Sequence, residues 1–302
     1  MSAPDRQEAD RVVAGGRLTI TVAAHAGYCY GVERALRLTD EALARHGPPI
    51  ATLGPIIHNP GVVDELAARG VAAVADVEQV AGGTLVVRTH GVPPEVVERA
   101  RDRGLRVVDA TCPFVTVAQR KASALARRGY VVVVLGERDH PEVVGLAACA
   151  GEGAVIVEDA EQLDVEAMAG RRVGVVVQTT QTRENLSRLV AAITPLARET
   201  LVYNTVCEAT ERRQEAARAL ARDVDLVVVV GGRNSANTTR LAEICRVIQP
   251  RTVHIERADE FRGISLRGVR HIGVTAGAST PDAEIDAAVT ALERLAASGD
   301  ER

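Results

Sequence analysis

The amino-acid sequence predicts an α/β protein with three pseudo-symmetric α/β lobes and mostly parallel sheets. Short β-branched apolar runs alternate with amphipathic stretches along nearly the whole chain, and this alternation is typical of α/β architecture. The runs are mostly apolar on both faces, as expected of strands buried inside a parallel sheet. Three widely spaced cysteines, each between an extended and a helical stretch, indicate a threefold repeat.

The predicted strands are distributed along the whole chain. They share a β-branched, apolar composition and are short, as strands in parallel sheets usually are. They cover residues 18–22, 85–87, 106–108, 131–135, 155–157, 173–177, 226–230, 253–255 and 272–274.

Helical patterns lie between these runs. From Val32 to Leu43 the apolar residues follow the 3.6-residue period, and Gly47 is placed to cap the C-terminus of that helix. A proline followed by an acidic residue begins three further patterns, at 94–95, 141–142 and 281–282. Proline suits the first helical turn, and an acid there interacts favourably with the helix dipole.

Composition and charge exclude several functional classes. The chain has 302 residues, of which 46% are hydrophobic and 25% charged, and this length suggests roughly two to three domains. A net charge of −4 and only 2% aromatic residues argue against a nucleic-acid binder. Lys121 is the only lysine and no glycine-rich loop precedes it, which excludes a P-loop lysine and disfavours Schiff-base catalysis.

The N-terminus and the cysteines predict a cytoplasmic enzyme. Residues 1–16 are polar and lack the apolar core of a signal peptide, and no run approaches the ~20 apolar residues of a membrane span. The five cysteines are odd in number, widely spaced and without a CxxC pair. This pattern favours reduced thiols over a disulfide scaffold.

Cys29, Cys112 and Cys207 carry the threefold repeat. They are separated by 83 and 95 residues, and each follows an extended stretch and precedes a helical one. We interpret them as one thiol from each of three α/β units, coincidence being the alternative. The predicted lobes are 29–112, 113–206, and 17–28 with 207–298, after a polar N-terminal extension at 1–16.

Polar residues gather after the predicted strands, where open parallel sheets bind ligands. Hydroxyl and amide side chains there offer hydrogen bonds to an anion at helix N-termini. Simpler interpretations exist, because such residues also cap helices, a histidine can merely close a turn, and Glu142 can be a first-turn dipole acid. Cys149 and Cys245 lie inside helical patterns and are interpreted as buried filling residues. The polar segments are 56–60, 88–91, 136–142, 178–180, 231–237 and 275–279.

Three separated thiols allow three kinds of chemistry. Structural zinc usually uses CxxC-type pairs, which are absent here, and a cysteine nucleophile needs only one thiol beside a base. An iron–sulfur cluster fits cysteines from three units, and three ligands on a cubane cluster would leave one iron open for catalysis.

A phosphate group on the ligand would explain a set of neutral or switchable hydrogen-bond donors without a lysine. These donors are His58, His90, Ser235, Asn237 and Ser279.

Nine short motifs occur in order between Gly27 and Asp282. They are GYCYGV (27–32), HN (58–59), THGV (89–92), DATCP (109–113), HPEV (140–143), QTT (178–180), CEAT with RQE (207–210, 213–215), NSAN (234–237) and TAGAS (275–279). Together they resemble the 4-hydroxy-3-methylbut-2-enyl diphosphate reductase (LytB) family. The resemblance implies conversion of (E)-4-hydroxy-3-methylbut-2-enyl diphosphate to isopentenyl and dimethylallyl diphosphate, the last step of the methylerythritol phosphate route to isoprenoids.

The resemblance also implies the site. A [4Fe–4S] cluster, one per chain and central to the three lobes, is held by Cys29, Cys112 and Cys207 and keeps an open apical iron. Glu142 and Thr179 orient the substrate's 4-hydroxyl and relay protons, and His140 is grouped with them as catalytic. The substrate-binding residues it implies are His58, His90, His140, Thr179, Ser235, Asn237 and Ser279.

The implied partners are an allylic diphosphate substrate and a ferredoxin or flavodoxin that donates single electrons. We expect no membrane or nucleic-acid partner and a monomer or weak homodimer in the cytoplasm. Tyr30 and Ala236 depart from the family pattern, which leaves open a specialised paralogue for another allylic diphosphate. Further alternatives are a non-catalytic iron–sulfur sensor or metabolite-binding protein, and a zinc- or cysteine-dependent hydrolase.

Overall fold

The computed structural model describes residues 9–13, 18–164, 166–261 and 264–299. The strands are β1 (Ala9–Val13), β2 (Leu18–Val22), β3 (Ile50–Leu53), β4 (Val71–Val74), β5 (Thr84–Val87), β6 (Arg106–Asp109), β7 (Val131–Leu135), β8 (Val155–Val157), β9 (Arg172–Val177), β10 (Glu199–Val202), β11 (Leu226–Val230), β12 (Thr252–Ile255) and β13 (His271–Ala276). The helices are α1 (Tyr30–His46), α2 (Pro60–Ala68), α3 (Pro94–Asp102), α4 (Pro113–Arg127), α5 (Pro141–Ala150), α6 (Arg183–Ile193), α7 (Glu208–Asp223), α8 (Ala236–Ile248) and α9 (Asp282–Gly299). Within the described ranges, none of the helices has the length and apolar character needed to cross a bilayer.

One compact unit, called here the five-stranded unit, comprises the described residues up to Tyr30, His58–Pro60 and the described residues from Glu208 onward. Its strands lie in the order β1-β2-β13-β11-β12. The pairings among β2, β13, β11 and β12 are parallel, whereas β1 is antiparallel to β2. The segment predicted as a polar extension therefore contributes a strand, and its residues 1–8 and 14–16 lie outside the described residues.

The other compact unit, called here the two-sheet unit, comprises Gly31–Ile57 and Gly61–Cys207. It contains two four-stranded sheets, with the orders β4-β3-β5-β6 and β10-β9-β7-β8. All of their pairings are parallel. Three mostly parallel sheets confirm the predicted α/β fold class, while the predicted lobe boundaries at 29–112, 113–206, and 17–28 with 207–298 stay a prediction.

The nine predicted strands are all present, and several are one to three residues longer than predicted. β1, β3, β4 and β10 have no counterpart in the predicted set. β4 and β10 lie at the edges of their sheets and are partly exposed, so their sequences lack the continuous apolar run that marks a central strand. β3 is fully buried but short, and alanine and threonine occupy its two middle positions.

The central strands β7 and β9 of the β10-β9-β7-β8 sheet face a helical layer on each side. Val133 and Val175 pack in the core cluster that contains residues of α6. Val132 and Val134 pack in the cluster that contains residues of α4 and α5. Because successive strand residues point to opposite faces, α6 covers the opposite side of this sheet from α4 and α5.

The structure confirms the predicted end of α1 and the predicted starts of α3 and α5, and α9 begins at Asp282, directly after Pro281. Gly47 follows α1 with a φ of 67°, and its N–H donates to the carbonyl of Leu43 at 2.9 Å. A left-handed residue at this position is the usual C-terminal cap, and glycine adopts it without a steric cost. Pro94 and Pro141 are the first residues of α3 and α5, as expected from proline's fixed φ.

Gly174 on β9 leaves room for Leu125 of α4, whose side chain is fully buried. A Cβ atom at Gly174 would lie 2.7 Å from both methyl carbons of Leu125. We therefore expect Gly174→Ala to lower the free energy of unfolding by about 1–3 kcal/mol through overpacking, measured by urea denaturation. Gly82→Ala is the control, because no atom lies within 4 Å of a Cβ there; an equal loss in both variants would contradict the packing argument.

Candidate active site

The predicted site residues all lie beyond the carboxyl ends of parallel strands. In the two-sheet unit, His90 follows β5, His140 and Glu142 follow β7, and Thr179 follows β9. In the five-stranded unit, Ser235 and Asn237 follow β11 and Ser279 follows β13. Each unit therefore presents its polar residues at the edge of the sheet where parallel α/β folds bind ligands.

Cys29, Cys112 and Cys207 occupy the same structural position in three sheets. They follow β2, β6 and β10, and each directly precedes the first residue of a long helix: α1, α4 and α7. All three are half-buried thiols. The helix dipole favours negative charge at this position, which suits a cysteine that acts as a thiolate ligand.

The backbone of each of these cysteines is fixed in the same way. Its N–H donates to the carbonyl of the residue two positions past the end of the neighbouring strand. The acceptors are Ala278 after β13 for Cys29 (3.2 Å), Thr89 after β5 for Cys112 (2.9 Å) and Thr179 after β9 for Cys207 (3.1 Å). This repeated bond agrees with the interpretation of the cysteine spacing as a structural repeat and argues against coincidence.

Cys149 and Cys245 have a different environment. Both lie inside helices, α5 and α8. Burial raises the pKa of the Cys245 thiol to about 12, and burial, followed by the charge of Glu95, raises the pKa of Cys149. Cys245 has no exposed surface and packs in the core, whereas Cys149 is only partly buried against its cluster. The interpretation as filling residues therefore holds fully for Cys245 and in part for Cys149.

Glu142 is a buried carboxyl group held by Thr179. Its side chain is only 1% exposed. One carboxylate oxygen accepts from the Thr179 backbone N–H at 2.7 Å, and the other accepts from the Thr179 hydroxyl at 2.8 Å. Burial nevertheless raises the pKa of Glu142 to about 7, because it outweighs the lowering effect of these hydrogen bonds. A carboxyl group with this pKa can both give and take a proton near neutral pH.

His140 and His90 lie beside this pair in the two-sheet unit. The His140 Nδ1 accepts from the backbone N–H of Glu142 at 3.2 Å, so the proton of the neutral ring is on Nε2. The rings of His90 and His140 meet edge to face, with centroids 5.2 Å apart. The Thr89 hydroxyl donates to the Ile56 carbonyl at 2.9 Å and lies 3.3 Å from the His90 Nδ1. These contacts orient both imidazoles.

Ser235, Asn237 and Ser279 form a polar group in the five-stranded unit. Ser235 is the N-cap of α8, and its oxygen accepts from the Thr238 N–H at 3.4 Å. The Ser279 hydroxyl donates to the His58 carbonyl at 3.1 Å. Asn237 is 5% exposed, and neither its amide nitrogen nor its amide oxygen has a hydrogen-bond partner. A buried amide without hydrogen-bond partners destabilises a protein unless a bound ligand supplies them.

A close backbone approach brings His58 to the loop before α8. A Cβ atom at Gly232 would lie 2.8 Å from the His58 carbonyl oxygen, so only glycine fits there without movement. The next residue, Asn59, donates to both oxygens of Glu284 at 3.1 and 3.0 Å. His58 is thereby held within the five-stranded unit by backbone contacts on one side and by the Asn59–Glu284 pair on the other.

Two supporting residues were not among the predicted site residues. Arg213 is 3% exposed, and its guanidinium donates to the Gly27 carbonyl at 2.8 Å, two residues before Cys29. Glu284 holds Asn59. A signal for Arg213 exists in the sequence, because it shares the buried face of α7 with Ala217 and Leu220, and a charged residue on such a face needs a buried partner. Glu284 has no comparable signal, since first-turn acids are common.

Comparison with known proteins shows which family this chain resembles. The profile of the LytB protein family matches residues 20–293. The chain is 44% identical over 280 residues to 4-hydroxy-3-methylbut-2-enyl diphosphate reductase of Aquifex aeolicus, covering 91% of this chain and 96% of that protein. It is 46% identical over 278 residues to the enzyme of the same name from Geobacter sulfurreducens, covering 92% and 98%.

Solved structures agree with this assignment. One described as (E)-4-hydroxy-3-methyl-but-2-enyl diphosphate reductase, the terminal enzyme of the non-mevalonate pathway, is 41% identical, with a TM-score of 0.67 and coverage of 91% and 99%. The E-1-hydroxy-2-methyl-but-2-enyl-4-diphosphate reductase of Plasmodium falciparum is 28% identical, with a TM-score of 0.83 and coverage of 90% and 86%. The chain belongs to the LytB protein family.

Proposed function

We propose that this protein is a 4-hydroxy-3-methylbut-2-enyl diphosphate reductase that catalyses the terminal step of the methylerythritol phosphate pathway. Two electrons and two protons remove the 4-hydroxyl of the substrate as water and leave isopentenyl or dimethylallyl diphosphate. The observation that carries the proposal is the placement of Cys29, Cys112 and Cys207, each at a helix start with its N–H bonded in the same way.

The cofactor is an iron–sulfur cluster, and the donor set fits it. Cys29, Cys112 and Cys207 are thiols outside any disulfide, at helix N-termini that favour thiolate, and three thiolate ligands suit a [4Fe–4S] cluster with an open apical iron. When bound, such a cluster supplies single electrons and Lewis acidity. Arg213 supports one ligand loop by its bond to the Gly27 carbonyl.

The diphosphate is bound by neutral donors. Ser235 accepts a backbone N–H and so keeps its hydroxyl proton to donate, and the N-terminus of α8 adds its dipole. The unpartnered amide of Asn237 gains a hydrogen-bond partner when the ligand is bound. Ser279 and His58, which contact each other, complete this part of the site. His90 and His140 are the further substrate-binding residues we propose.

Proton transfer and orientation of the substrate hydroxyl involve three residues: Glu142, Thr179 and His140. The Thr179 hydroxyl already donates to Glu142, so a proton can pass between the two groups through this short contact. His140 holds the first turn of α5 through Glu142's N–H. We therefore assign proton donation to Glu142 and orientation of the substrate hydroxyl to Thr179, with His140 as a further donor.

Asn237→Ala is expected to raise the KM for the diphosphate substrate by about tenfold or more, because a hydrogen bond to a charged group contributes about 1.5–3 kcal/mol. The kcat should change little. The free energy of unfolding of the ligand-free protein should not fall, since the variant removes an amide that has no hydrogen-bond partner in the described structure. Asn234→Ala, which changes an exposed amide in the loop directly before α8, is the control. A destabilised variant with normal KM would assign Asn237 a purely structural role.

The proposed activity is tested anaerobically with reconstituted protein. Dithionite and a viologen supply electrons, and the formation of isopentenyl and dimethylallyl diphosphate is measured by mass spectrometry.

The same assay distinguishes the alternatives. Turnover of a different allylic diphosphate in preference to this substrate would instead support a specialised paralogue, for which Tyr30 and Ala236 are the residues to replace by those of the family pattern. Zinc without sulfide would indicate a hydrolase. A sensor would load the cluster without turnover, but the buried Glu142–Thr179 pair is a feature that binding alone does not require.

We further propose the remaining context from the sequence. The three-lobe partition at 29–112, 113–206, and 17–28 with 207–298 describes the repeat units. The protein works in the cytoplasm as a monomer or weak homodimer, and a ferredoxin or flavodoxin delivers its electrons. It needs no nucleic acid or membrane partner.

A further inference from the structure

Helix α4 presents an exposed apolar pair directly beyond a proposed cluster ligand. Phe114 is 45% exposed and Val117 is 48% exposed. Their spacing of three residues makes them neighbours on the helix surface, while Val115, Ala118, Ala122 and Leu125 are the buried residues of the same helix. The chain has only two phenylalanines, and the other, Phe261, is 4% exposed. An exposed Phe114 is therefore unusual in this protein and points to a contact surface.

This face of α4 is basic. The helix contains Arg120, Lys121 and Arg127 and no acidic residue, although the chain as a whole has a net charge of −4. The Lys121 ammonium lies 4.4 Å from the centroid of the Tyr203 ring, a cation–π distance that restrains it. At the other end, the Arg34 guanidinium donates to the Thr111 carbonyl at 3.1 Å. Positive charge thus flanks the apolar pair along the helix.

Helix α5 packs beside α4. The two helices pack on the same side of their sheet, and a Cβ atom at Gly145 would lie 3.1 Å from the Gln119 amide nitrogen of α4. The neighbouring Val144 is 44% exposed. The only ionisable carboxyl group of α5 is Glu142, which is buried. Neither helix therefore offers an exposed carboxylate to oppose the basic residues.

We propose that the face of α4 formed by Phe114, Val117, Arg120 and Lys121 docks a small acidic protein that carries one electron at a time. This inference rests on the proposed function, which requires single electrons to reach the group held by Cys112. Along the helix axis Phe114 is about 3 Å and Val117 about 7 Å beyond Cys112. A partner seated on the first turns of α4 is therefore as near to that thiolate as a docked protein can be on this helix.

Charge and size both favour an acidic carrier. A second copy of this chain would oppose basic residues to basic residues, which costs free energy, whereas an acidic partner is attracted to this positive helix face. Electron-transfer encounters bury small areas, under about 1,200 Å². Two exposed apolar side chains with a basic border suit such a weak and rapidly exchanging contact.

The test compares two routes of reduction in the holoenzyme. With an acidic [2Fe–2S] ferredoxin as the donor, Arg120→Glu and Phe114→Ala should each lower kcat/KM for the donor by about tenfold. Each should also raise the dissociation constant, measured by titration calorimetry, by about tenfold. The salt dependence of the association should also fall in Arg120→Glu. Turnover with dithionite and a viologen, and iron content, should stay unchanged.

Arg188→Glu is the matched control, because Arg188 is an exposed residue of α6, on the opposite side of the same sheet. It makes the same change of charge and should leave ferredoxin binding unaltered. Equal losses in Arg188→Glu and Arg120→Glu, or normal binding in Phe114→Ala, would overturn the assignment of this face. Absence of viologen-driven turnover in the unmodified protein would contradict the proposed function instead, while the calorimetric titration would still decide whether this surface binds the carrier.

Discussion

Replacing Glu142 by glutamine is expected to lower kcat by about 10²- to 10⁴-fold, the usual contribution of a positioned proton donor. Glutamine keeps the size of the side chain and can accept the Thr179 N–H that now bonds to the carboxylate, so the local structure should persist. It cannot donate a proton as a carboxylic acid does. The KM for the diphosphate substrate should change little, because that end of the substrate is bound by other residues. Steady-state kinetics with a viologen donor provide the measurement.

The pH dependence gives this prediction a second readout. Burial raises the pKa of Glu142 from 4.5 to about 7. A proton donor must be protonated, so kcat should fall as the pH rises through about 7, and Glu142→Gln should lack that inflection. The same shift affects the free energy of unfolding, because the folded protein binds the Glu142 proton more tightly than the unfolded chain does. The stabilisation from protonated Glu142 is fully present below pH 4.5 and is lost as the pH rises through 7. Glu142→Gln should therefore lose less stability than the unmodified protein between pH 5 and 8.

Glu95→Gln is the matched control for the alternative role of a first-turn dipole acid. Glu95 follows Pro94 at the start of α3, as Glu142 follows Pro141 at the start of α5, but Glu95 is exposed. If both acids only stabilise helix N-termini, the two variants should have equally small effects. A fully active Glu142→Gln with an unchanged pH profile would remove Glu142 from the mechanism.

The sequence was sufficient for the fold class because burial leaves a strong pattern in parallel sheets. All residues of β11 are buried, and so are nearly all those of β7 and β9, so their valine runs predict strands directly. Edge strands escape this reasoning, since β4 has two exposed alanines and β10 begins with the exposed Glu199. The pairing of β1 with β2 involves neither signal, as it joins a segment of ordinary polar composition to a sheet edge.

The candidate site was predictable where chemistry and chain position coincide. The cysteines repeat with the helices that follow them, and Glu142 stands next to a helix-starting proline. The pairing of Glu142 with Thr179 spans 37 residues, and that of Asn59 with Glu284 spans 225. Such pairs depend on how the sheet orders its strands and folds its loops, which periodicity within one segment does not specify. Their energetic consequence, a carboxyl pKa near 7, was therefore outside the reach of sequence reasoning.

Replacing Cys112 by serine is expected to abolish turnover and to leave far less iron and sulfide than the about four of each that a [4Fe–4S] cluster contains. A serine hydroxyl is a much poorer ligand for iron than a thiolate, while the N-cap position before α4 accepts serine readily. The fold should therefore persist, as the far-ultraviolet circular dichroism and the urea midpoint would show. Anaerobic iron and sulfide counting on the reconstituted variant is the measurement.

Cys149→Ser and Cys245→Ser complete the experiment, because they make the same chemical change inside helices rather than at a helix start. Both should keep the cluster and the activity. Cys245→Ser should in addition lower the free energy of unfolding, since a hydroxyl replaces a thiol in a site of 0% exposure, where a polar group costs about 1–3 kcal/mol. Loss of stability without loss of iron in Cys245→Ser, set against loss of iron without loss of stability in Cys112→Ser, would separate structural from ligand cysteines. A fully loaded and active Cys112→Ser would refute the proposed ligand set.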